Sequence, residues 1–297
     1  MDEELTFFTV ARANRFRGLI RELLAELGYE VQIHALHAID AQGRGYGFRN
    51  VAARCNAQDE VEWRDTIAEH LQRVLAGFEN PDPFEYLHPG HIAKQTFARL
   101  YGENHLPKME RYPHREFAPG IVEVLALDLP DLVQMFDHDH ARKFGGWEAL
   151  RAQGIANLRE LEVERLERFE APGGGFFHVL MGNNVYTGSR ALMLPGLSAE
   201  VAGKPGATHH GWLMSVPNRH QLAWHHIEDG SVIHVLDAMA RFTLSAYSEA
   251  PGPVSPHVYW WNGGGYDQLT NLADDGAFSV RVSPGFQSVL MEVLSRD

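Results

Sequence analysis

The segment Gly211–Glu249, "GWLMSVPNRHQLAWHHIEDGSVIHVLDAMARFTLSAYSE", decides the fold. Residues 211–217 form an apolar run of strand length, which predicts a buried β-strand ending at a Val-Pro pair. A polar turn at Asn218 and Arg219 follows. Residues 231–249 are apolar on most faces of a helix, which indicates a buried helix. This succession predicts an α/β or α+β fold with mixed sheets and flanking helices.

The rest of the chain alternates in the same way. A β-hairpin is expected where residues 29–39 and 43–55 flank the turn sequence "DAQG". Further helices are predicted at 13–27, 63–77, 91–102 and 147–169, a short one around 189–197, and strands at 121–129, 176–182, 256–261 and 277–283.

Two domains are predicted, an N-terminal α/β domain over residues 1–110 and a C-terminal α/β domain over 111–297. The boundary falls in residues 102–120, which are rich in Pro, Gly and charge and show no periodicity. One continuous globular unit is the alternative. Trp63 and Trp147 each open an amphipathic helix after a strand-like run, so two related strand-helix units are a further interpretation.

The composition describes an acidic globular protein. The 297 residues carry a formal net charge of -13, which disfavours nucleic-acid and anionic membrane partners. Cys55 is the single cysteine, so the chain has no disulfide and no thiolate metal cluster. Together with a start that lacks a signal-peptide pattern, this predicts a cytoplasmic protein.

Several catalytic motifs are missing from the sequence. The stretches "APGGGFF" and "WNGGGYDQ" match neither a P-loop nor a dinucleotide fingerprint, and tight turns are the expected structure. Ser189 lacks the second glycine of a nucleophile elbow, so a helix N-cap is expected there. No cofactor is predicted.

One acidic and imidazole cluster is a candidate metal site. It consists of Asp137, His138, Asp139 and His140. In an extended segment the two histidines would share a face and could bind one cation, whereas on a helix they diverge. Neutralisation of the aspartates by neighbouring basic groups is the competing interpretation.

The doubled histidines are the other candidates. His225 and His226 point to opposite faces in a strand and diverge by about 100° on a helix, so neither arrangement lets them grip one ion. His209 and His210 are expected in a loop. Regular geometry therefore predicts that the pairs do not act as pairs, and that a metal site needs one imidazole from each of several elements.

One histidine of the buried helix has charged neighbours on its own face. His234, Asp237 and Arg241 fall three and four residues apart. Asp237 could orient His234 as an acid/base pair, or it could simply pair with Arg241.

The C-terminal half resembles a known family. The succession "VEVLALDLPDLVQMF", "GWEALRAQGIANLREL", "FFHVLMGNNVYTGSRALML" and "GWLMSVPNRHQLAWHHI" is similar to the YtpQ-like bacterial proteins, a family of unknown function. The resemblance implies a cytoplasmic α/β protein without a recognised cofactor and supplies no catalytic residues. The histidine pairs and "APGGGFF" depart from the family pattern, as do His220 or Gln221 at its usual acidic position.

Two functions follow as hypotheses. The first is a non-enzymatic factor that binds another protein, of the immunity or accessory kind, because Tyr and Trp suit interfaces. The second is a metal-dependent hydrolase that uses the cluster at 137–140 and the histidines between His209 and His234. The binding residues expected for the first are Asn218, Arg219, Tyr259, Trp260, Trp261 and Tyr266.

Overall fold

The computed structural model describes residues 1–79, 82–106, 108–129, 132–203, 209–273 and 278–295. Helices and mainly antiparallel strands build these segments, which confirms the expected combination of helices and sheets. The chain divides into two compact units. The first comprises Met1–Tyr86, Pro130–Leu132 and Ser248–Gly252, and the second Leu87–Leu129, Val133–Tyr247 and Pro253–Asp297.

The first unit packs helices against a three-stranded antiparallel sheet. Its elements are α1 (Val10–Glu26), β1 (Val31–Ile33), β2 (His37–Asp40), β3 (Gly45–Gly47), α2 (Arg49–Asn56), α3 (Trp63–Glu79) and α4 (Pro83–Tyr86). The first helix, the hairpin of β2 and β3 and the helix opening at Trp63 are confirmed. The strand predicted to run on to residue 55 is wrong after Gly47, because Val51, Ala52 and Cys55 instead bury one face of α2.

Trp63 is the centre of this unit's core. Its indole is fully buried against the rings of Phe8 and Phe16, at centroid distances of 5.1 and 6.1 Å. Its Nε1–H donates a hydrogen bond to the carbonyl of Cys55 at 2.7 Å. A large apolar ring with its one polar atom satisfied is well suited to a buried anchor.

The second unit opens with elements that the sequence reading assigned incorrectly in part. They are α5 (Pro89–Gln95), β4 (Thr96–Gly102), β5 (His114–Ala118), β6 (Ile121–Leu129), β7 (Leu132–Met135), α6 (His138–Lys143) and α7 (Gly146–Arg159). The predicted helix over 91–102 stops at Gln95, because residues 96–102 pair along β6 as a nearly fully buried strand. The helix predicted over 147–169 likewise ends at Arg159.

The rest of the second unit forms a six-stranded sheet with helices on it. The elements are β8 (Arg165–Glu170), β9 (Phe176–Met181), α8 (Leu194–Ala202), β10 (Trp212–Asn218), β11 (Gln221–His226), α9 (Val232–Glu249), β12 (Tyr259–Trp261), β13 (Tyr266–Gln268), β14 (Thr270–Leu272), β15 (Phe278–Val280) and α10 (Pro284–Leu294). The sheet order is β13-β12-β10-β11-β9-β8, which is three hairpins side by side.

Glycines make the tight turns of two of these hairpins, as the sequence predicts. Gly173, Gly174 and Gly175 between β8 and β9 all have positive φ. Between β12 and β13 the side chain of Asn262 accepts hydrogen bonds from two glycine amides, at 2.9 and 3.0 Å. In this second turn Gly263 has positive φ, so each of the two turns uses glycine in a backbone conformation that other residues rarely adopt.

The central strand β10 is covered on both faces. One face packs with α9 and α10, as Leu213 lies in one cluster with Val235 and Phe286. The other packs with α8, as Met214 lies in a second cluster with Leu197. Burial on both faces explains why β10 reads as a continuous apolar run instead of an alternating one.

The two tryptophans of the suggested strand-helix units differ in burial. Each lies at the start of a helix that follows another helix, α2 before Trp63 and α6 before Trp147, but Trp63 is buried and Trp147 is half-buried. The suggested duplication stays a prediction. In the described part of the chain, no helix is both long enough and apolar enough to cross a membrane.

A candidate metal centre

His209 and His210 lie in a turn that leads into the central strand β10. The next residue, Gly211, has φ +76°, and a Cβ built on it would lie 1.9 Å from the carbonyl oxygen of Trp261. Only glycine fits this approach. The backbone therefore turns sharply just before the strand, and the two imidazoles escape the alternation of a regular strand.

The backbone of this turn is held on both sides. The indole Nε1–H of Trp260 donates to the carbonyl of His210 at 2.8 Å, and Ile227 N–H donates to the carbonyl of Gly211 at 3.2 Å. His210 is buried, whereas His209 is exposed. One imidazole thus sits inside the unit and the other at its surface.

The third group of the site comes from the last helix. Glu292 lies on α10, with one carboxylate oxygen 3.9 Å from Nδ1 of His210. The helix is fixed by Phe286, whose ring packs against Trp260 at a centroid distance of 5.4 Å, and by its N-cap Ser283. Trp260 therefore contacts both elements of the site, the turn through its Nε1 and the helix through its ring.

The ligand atoms of His209, His210 and Glu292 all lie within 4.8 Å of one another. Tetrahedral zinc, with bonds of about 2.0–2.1 Å, spaces its ligand atoms about 3.4 Å apart. The 4.8 Å limit exceeds this spacing by up to about 1.4 Å, so the exposed His209 and the half-exposed Glu292 would have to rotate inward to bind one ion. The Nε2 of His210 is buried and makes no hydrogen bond. Two imidazoles and one carboxylate form a common donor set for catalytic zinc and non-haem iron.

The sequence predicts that His209 and His210 lie in a loop, and the structure places them in a turn. It also predicts that the doubled histidines do not act as pairs, a rule that follows from strand and helix geometry. In the turn that geometry does not apply, and the two ring centroids lie 4.9 Å apart at 65°. The same rule holds for His225 and His226, which do lie on a strand. His225 Nδ1 lies 2.7 Å from the carbonyl of Phe176, and His226 Nε2 lies 2.8 Å from the hydroxyl of Ser198.

The cluster at 137–140 is used by its own helix. Asp137 is the N-cap of α6 and accepts from the amide of His140 at 2.8 Å. His138 Nε2 lies 3.3 Å from the carbonyl of Glu110, and Asp139 pairs with Arg142. Because the segment is helical, His138 and His140 diverge and do not converge on a cation. Neutralisation by local partners is what the structure shows.

The buried helix α9 likewise shows a surface ion pair. Asp237 contacts Arg241 at 3.0 Å, and both side chains are exposed. His234 is exposed as well. Because all three side chains are exposed to solvent, the structure favours the simple ion pair over the acid/base interpretation.

Asn218 and Arg219, in the polar turn that joins β10 to β11, make hydrogen bonds that stabilise this hairpin. Asn218 is fully buried, and its side-chain amide donates to Gln221 at 2.8 Å and to the carbonyl of Ala246 at 3.1 Å. Arg219 is half-buried and donates from Nε to Nε2 of His220 at 2.9 Å. Asn218 is therefore a structural residue of the turn and not part of the surface.

The aromatic residues expected at an interface divide between core and surface. Tyr259 is fully buried, and its hydroxyl reaches Ser255 at 2.7 Å and the carbonyl of Pro119 at 2.9 Å. Trp260 is buried beside the turn of His209 and His210. Trp261 and Tyr266 are half-buried, and the ring of Trp261 stacks on that of Trp212 at 4.2 Å. Burial raises the pKa of Tyr266 to about 12.

Glu292 is the functional candidate that the sequence reading missed. It lies 82 residues beyond His210, so no local spacing connects the two. The sequence offers one signal for it, because Glu292 is the one charged residue in the otherwise apolar or uncharged stretch "PGFQSVLMEVL".

No family model, no curated protein and no solved structure matches this chain. The resemblance to the YtpQ-like proteins therefore stays a prediction.

Proposed function

We propose that this protein is a metal-dependent hydrolase whose centre is formed by His209, His210 and Glu292. The observation that carries the proposal is the convergence of these three ligand atoms within 4.8 Å, from two elements far apart in sequence. The cluster at 137–140, which the sequence suggested for this role, is replaced by this set.

The chemistry follows from the number and exposure of the ligands. Three protein ligands would leave at least one coordination position for water, and His209 is exposed at the surface. A zinc ion held by these residues would supply a bound water of lowered pKa, which is the kind of nucleophile that hydrolysis needs. His210 is buried, and its backbone carbonyl accepts a hydrogen bond from Nε1–H of Trp260. These contacts would hold the histidine in place at the proposed centre.

Elemental analysis of protein purified without an affinity tag tests the metal. We expect about one zinc or iron per chain, and a melting temperature that falls when a chelator removes the metal, because a ligand bound to the folded state stabilises it. The variants His210→Ala and Glu292→Gln should each lose the metal. His138→Ala, in a histidine whose Nε2 contacts the carbonyl of Glu110 away from this site, is the matched control and should keep it.

Hydrolysis is tested separately from metal binding. Chromogenic ester, phosphate and phosphodiester substrates should be cleaved by the metal-loaded protein and not by Glu292→Gln. Absence of bound metal together with a melting temperature indifferent to zinc and to chelator would exclude the whole proposal. A metal without chelator-sensitive turnover would leave a structural metal centre and exclude the hydrolase.

A second candidate is binding of another protein in the cytoplasm, which one surface feature favours. A groove of about 500 Å³ is lined by Tyr266, Asp267, Gln268, Arg281 and Ser283, among others. It contains a tyrosine and an arginine, two residue types that are enriched at protein interfaces. A stoichiometric partner that co-purifies with the wild type and is lost with Tyr266→Ser and Arg281→Ala would support it. Capture that is unchanged in both variants would count against it.

A further inference from the structure

A pair of exposed histidines lies at the turn between β1 and β2. His34 follows the last residue of β1, and His37 is the first residue of β2. In the antiparallel register of these strands, Ile33 pairs with Ala38. His34 and His37 are therefore the next opposite pair, and the amide of His34 donates to the carbonyl of His37 at 2.8 Å. Because directly opposite side chains lie on one face of a sheet, the backbone places the two imidazoles side by side.

Both imidazoles face solvent and lie against each other. Their ring centroids are 4.7 Å apart, with an angle of 16° between the ring planes. Both residues are exposed, because the next residue, Ala38, takes the position that faces the core. Neither imidazole makes a hydrogen bond or an ion pair with the part of the chain that the structure describes. The protein itself therefore does not engage their ring nitrogens there.

The backbone of the turn is held by contacts that leave the imidazoles out. The guanidinium Nε of Arg17 donates to the carbonyl of Ala35 at 3.1 Å. The amide of Phe48 donates to the carbonyl of Leu36 at 3.0 Å, and the side chain of Leu36 packs against the core of the first unit. A turn fixed in this way loses little conformational entropy when its two side chains bind one ligand.

The spacing of the two rings suits one transition-metal ion. With metal–nitrogen bonds of about 2.0–2.1 Å, two neighbouring imidazoles on one ion have ring centroids about 4.5–5.2 Å apart. The observed 4.7 Å lies in this range, but the ring planes are nearly parallel. One or both rings would therefore rotate about χ2 to direct their lone pairs at the same ion. This rotation is soft, and no hydrogen bond to the described residues has to break.

We propose that His34 and His37 together bind one divalent transition-metal ion, with water at the remaining coordination positions. Imidazole nitrogen suits copper, nickel and zinc, and divalent copper binds most tightly in this series. Because the second imidazole is supplied by the same turn, the pair binds more tightly than one histidine does. The pair belongs to the first unit, whereas His210 and Glu292 belong to the second, so the proposal does not depend on the proposed hydrolase.

The probe is Cu²⁺ alone, titrated into the full chain at pH 7.5, because a metal ligand must be a neutral imidazole. Paramagnetic broadening of the assigned imidazole resonances in NMR spectra reports each histidine separately. We expect the resonances of His34 and His37 to broaden together. His34→Gln and His37→Gln should each weaken copper binding at the remaining histidine about tenfold or more. Neither change should measurably alter the melting temperature of the metal-free protein, since both side chains are exposed.

His114→Gln is the matched control. His114 is also an exposed strand histidine, but the residue opposite it is Val124 and not a histidine. This variant should leave the broadening of His34 and His37 unchanged. If the broadening of His34 persists unchanged in His37→Gln, copper contacts single imidazoles and the proposal is overturned. Broadening confined to other histidines would overturn it as well.

Discussion

Replacement of Trp260 by Phe should weaken both the fold and the metal centre. Trp260 is 6% exposed and donates its Nε1–H to the carbonyl of His210 at 2.8 Å. Phenylalanine keeps an aromatic ring against Phe286 but leaves that carbonyl without its donor. An unsatisfied buried group costs about 1–3 kcal/mol, and the space left by the smaller ring costs about 1 kcal/mol more. We therefore expect a loss of about 2–4 kcal/mol in the free energy of unfolding.

The chain offers a matched control for this change. Trp63 in the first unit is also buried and also donates its Nε1–H to a backbone carbonyl, that of Cys55 at 2.7 Å. Trp63→Phe should cost a similar free energy of unfolding, measured by urea denaturation, but leave zinc affinity unchanged. Trp260→Phe should lower zinc affinity about tenfold in calorimetry, as loss of supporting contacts does at metal sites. Equal zinc affinities in the two variants would refute the supporting role of Trp260.

Three further predictions concern burial, backbone and pH. The side chain of Glu123 is 1% exposed and pairs with Arg115 and Arg151. Glu123→Gln should therefore lower the free energy of unfolding, measured by urea denaturation, by about 3–5 kcal/mol. As a control, Asp237→Asn in the exposed pair with Arg241 should lower it by under about 1 kcal/mol. Gly211→Ala should prevent zinc binding and lower the melting temperature, because its Cβ would meet the carbonyl of Trp261; a normal melting curve would contradict the tight turn. Burial lowers the pKa of His225 to about 4 in the folded protein. Between pH 6.5 and pH 4 the folded protein therefore binds fewer protons at His225 than the unfolded chain does, so its free energy of unfolding should fall as the pH is lowered through this range. The melting temperature of His225→Gln should fall less over the same range.

The elements that could be predicted from the sequence are those whose periodicity is unambiguous. Helices α1 and α3 show an apolar face, and β10 shows a continuous apolar run, so local pattern and tertiary burial agree. The prediction failed at residues 96–102, where apolar spacing compatible with a helix is used by a buried strand paired along β6. Periodicity alone does not separate the two for a short apolar segment.

The candidate metal centre could be predicted only in part. The doubled histidines draw attention to the turn at His209 and His210, but regular strand and helix geometry argues against paired ligands. The sharp bend at Gly211 depends on the carbonyl of Trp261, 50 residues away, and Glu292 arrives from the last helix. Tertiary structure brings these side chains together. The sequence contains the two histidines and the glutamate but gives no sign that they lie close to one another.

The arrangement of the six-stranded sheet as three adjacent hairpins has a consequence for how the chain folds. Within each hairpin a short turn separates the paired strands. Closing such a short loop costs little conformational entropy, so the contacts within a hairpin can form early. The two remaining pairings, β10 with β12 and β9 with β11, close loops of about 40 residues each. Docking of preformed hairpins would then limit the folding rate. The turn at His209 and His210 lies beside the pairing of β10 with β12, so its contacts would form among the last.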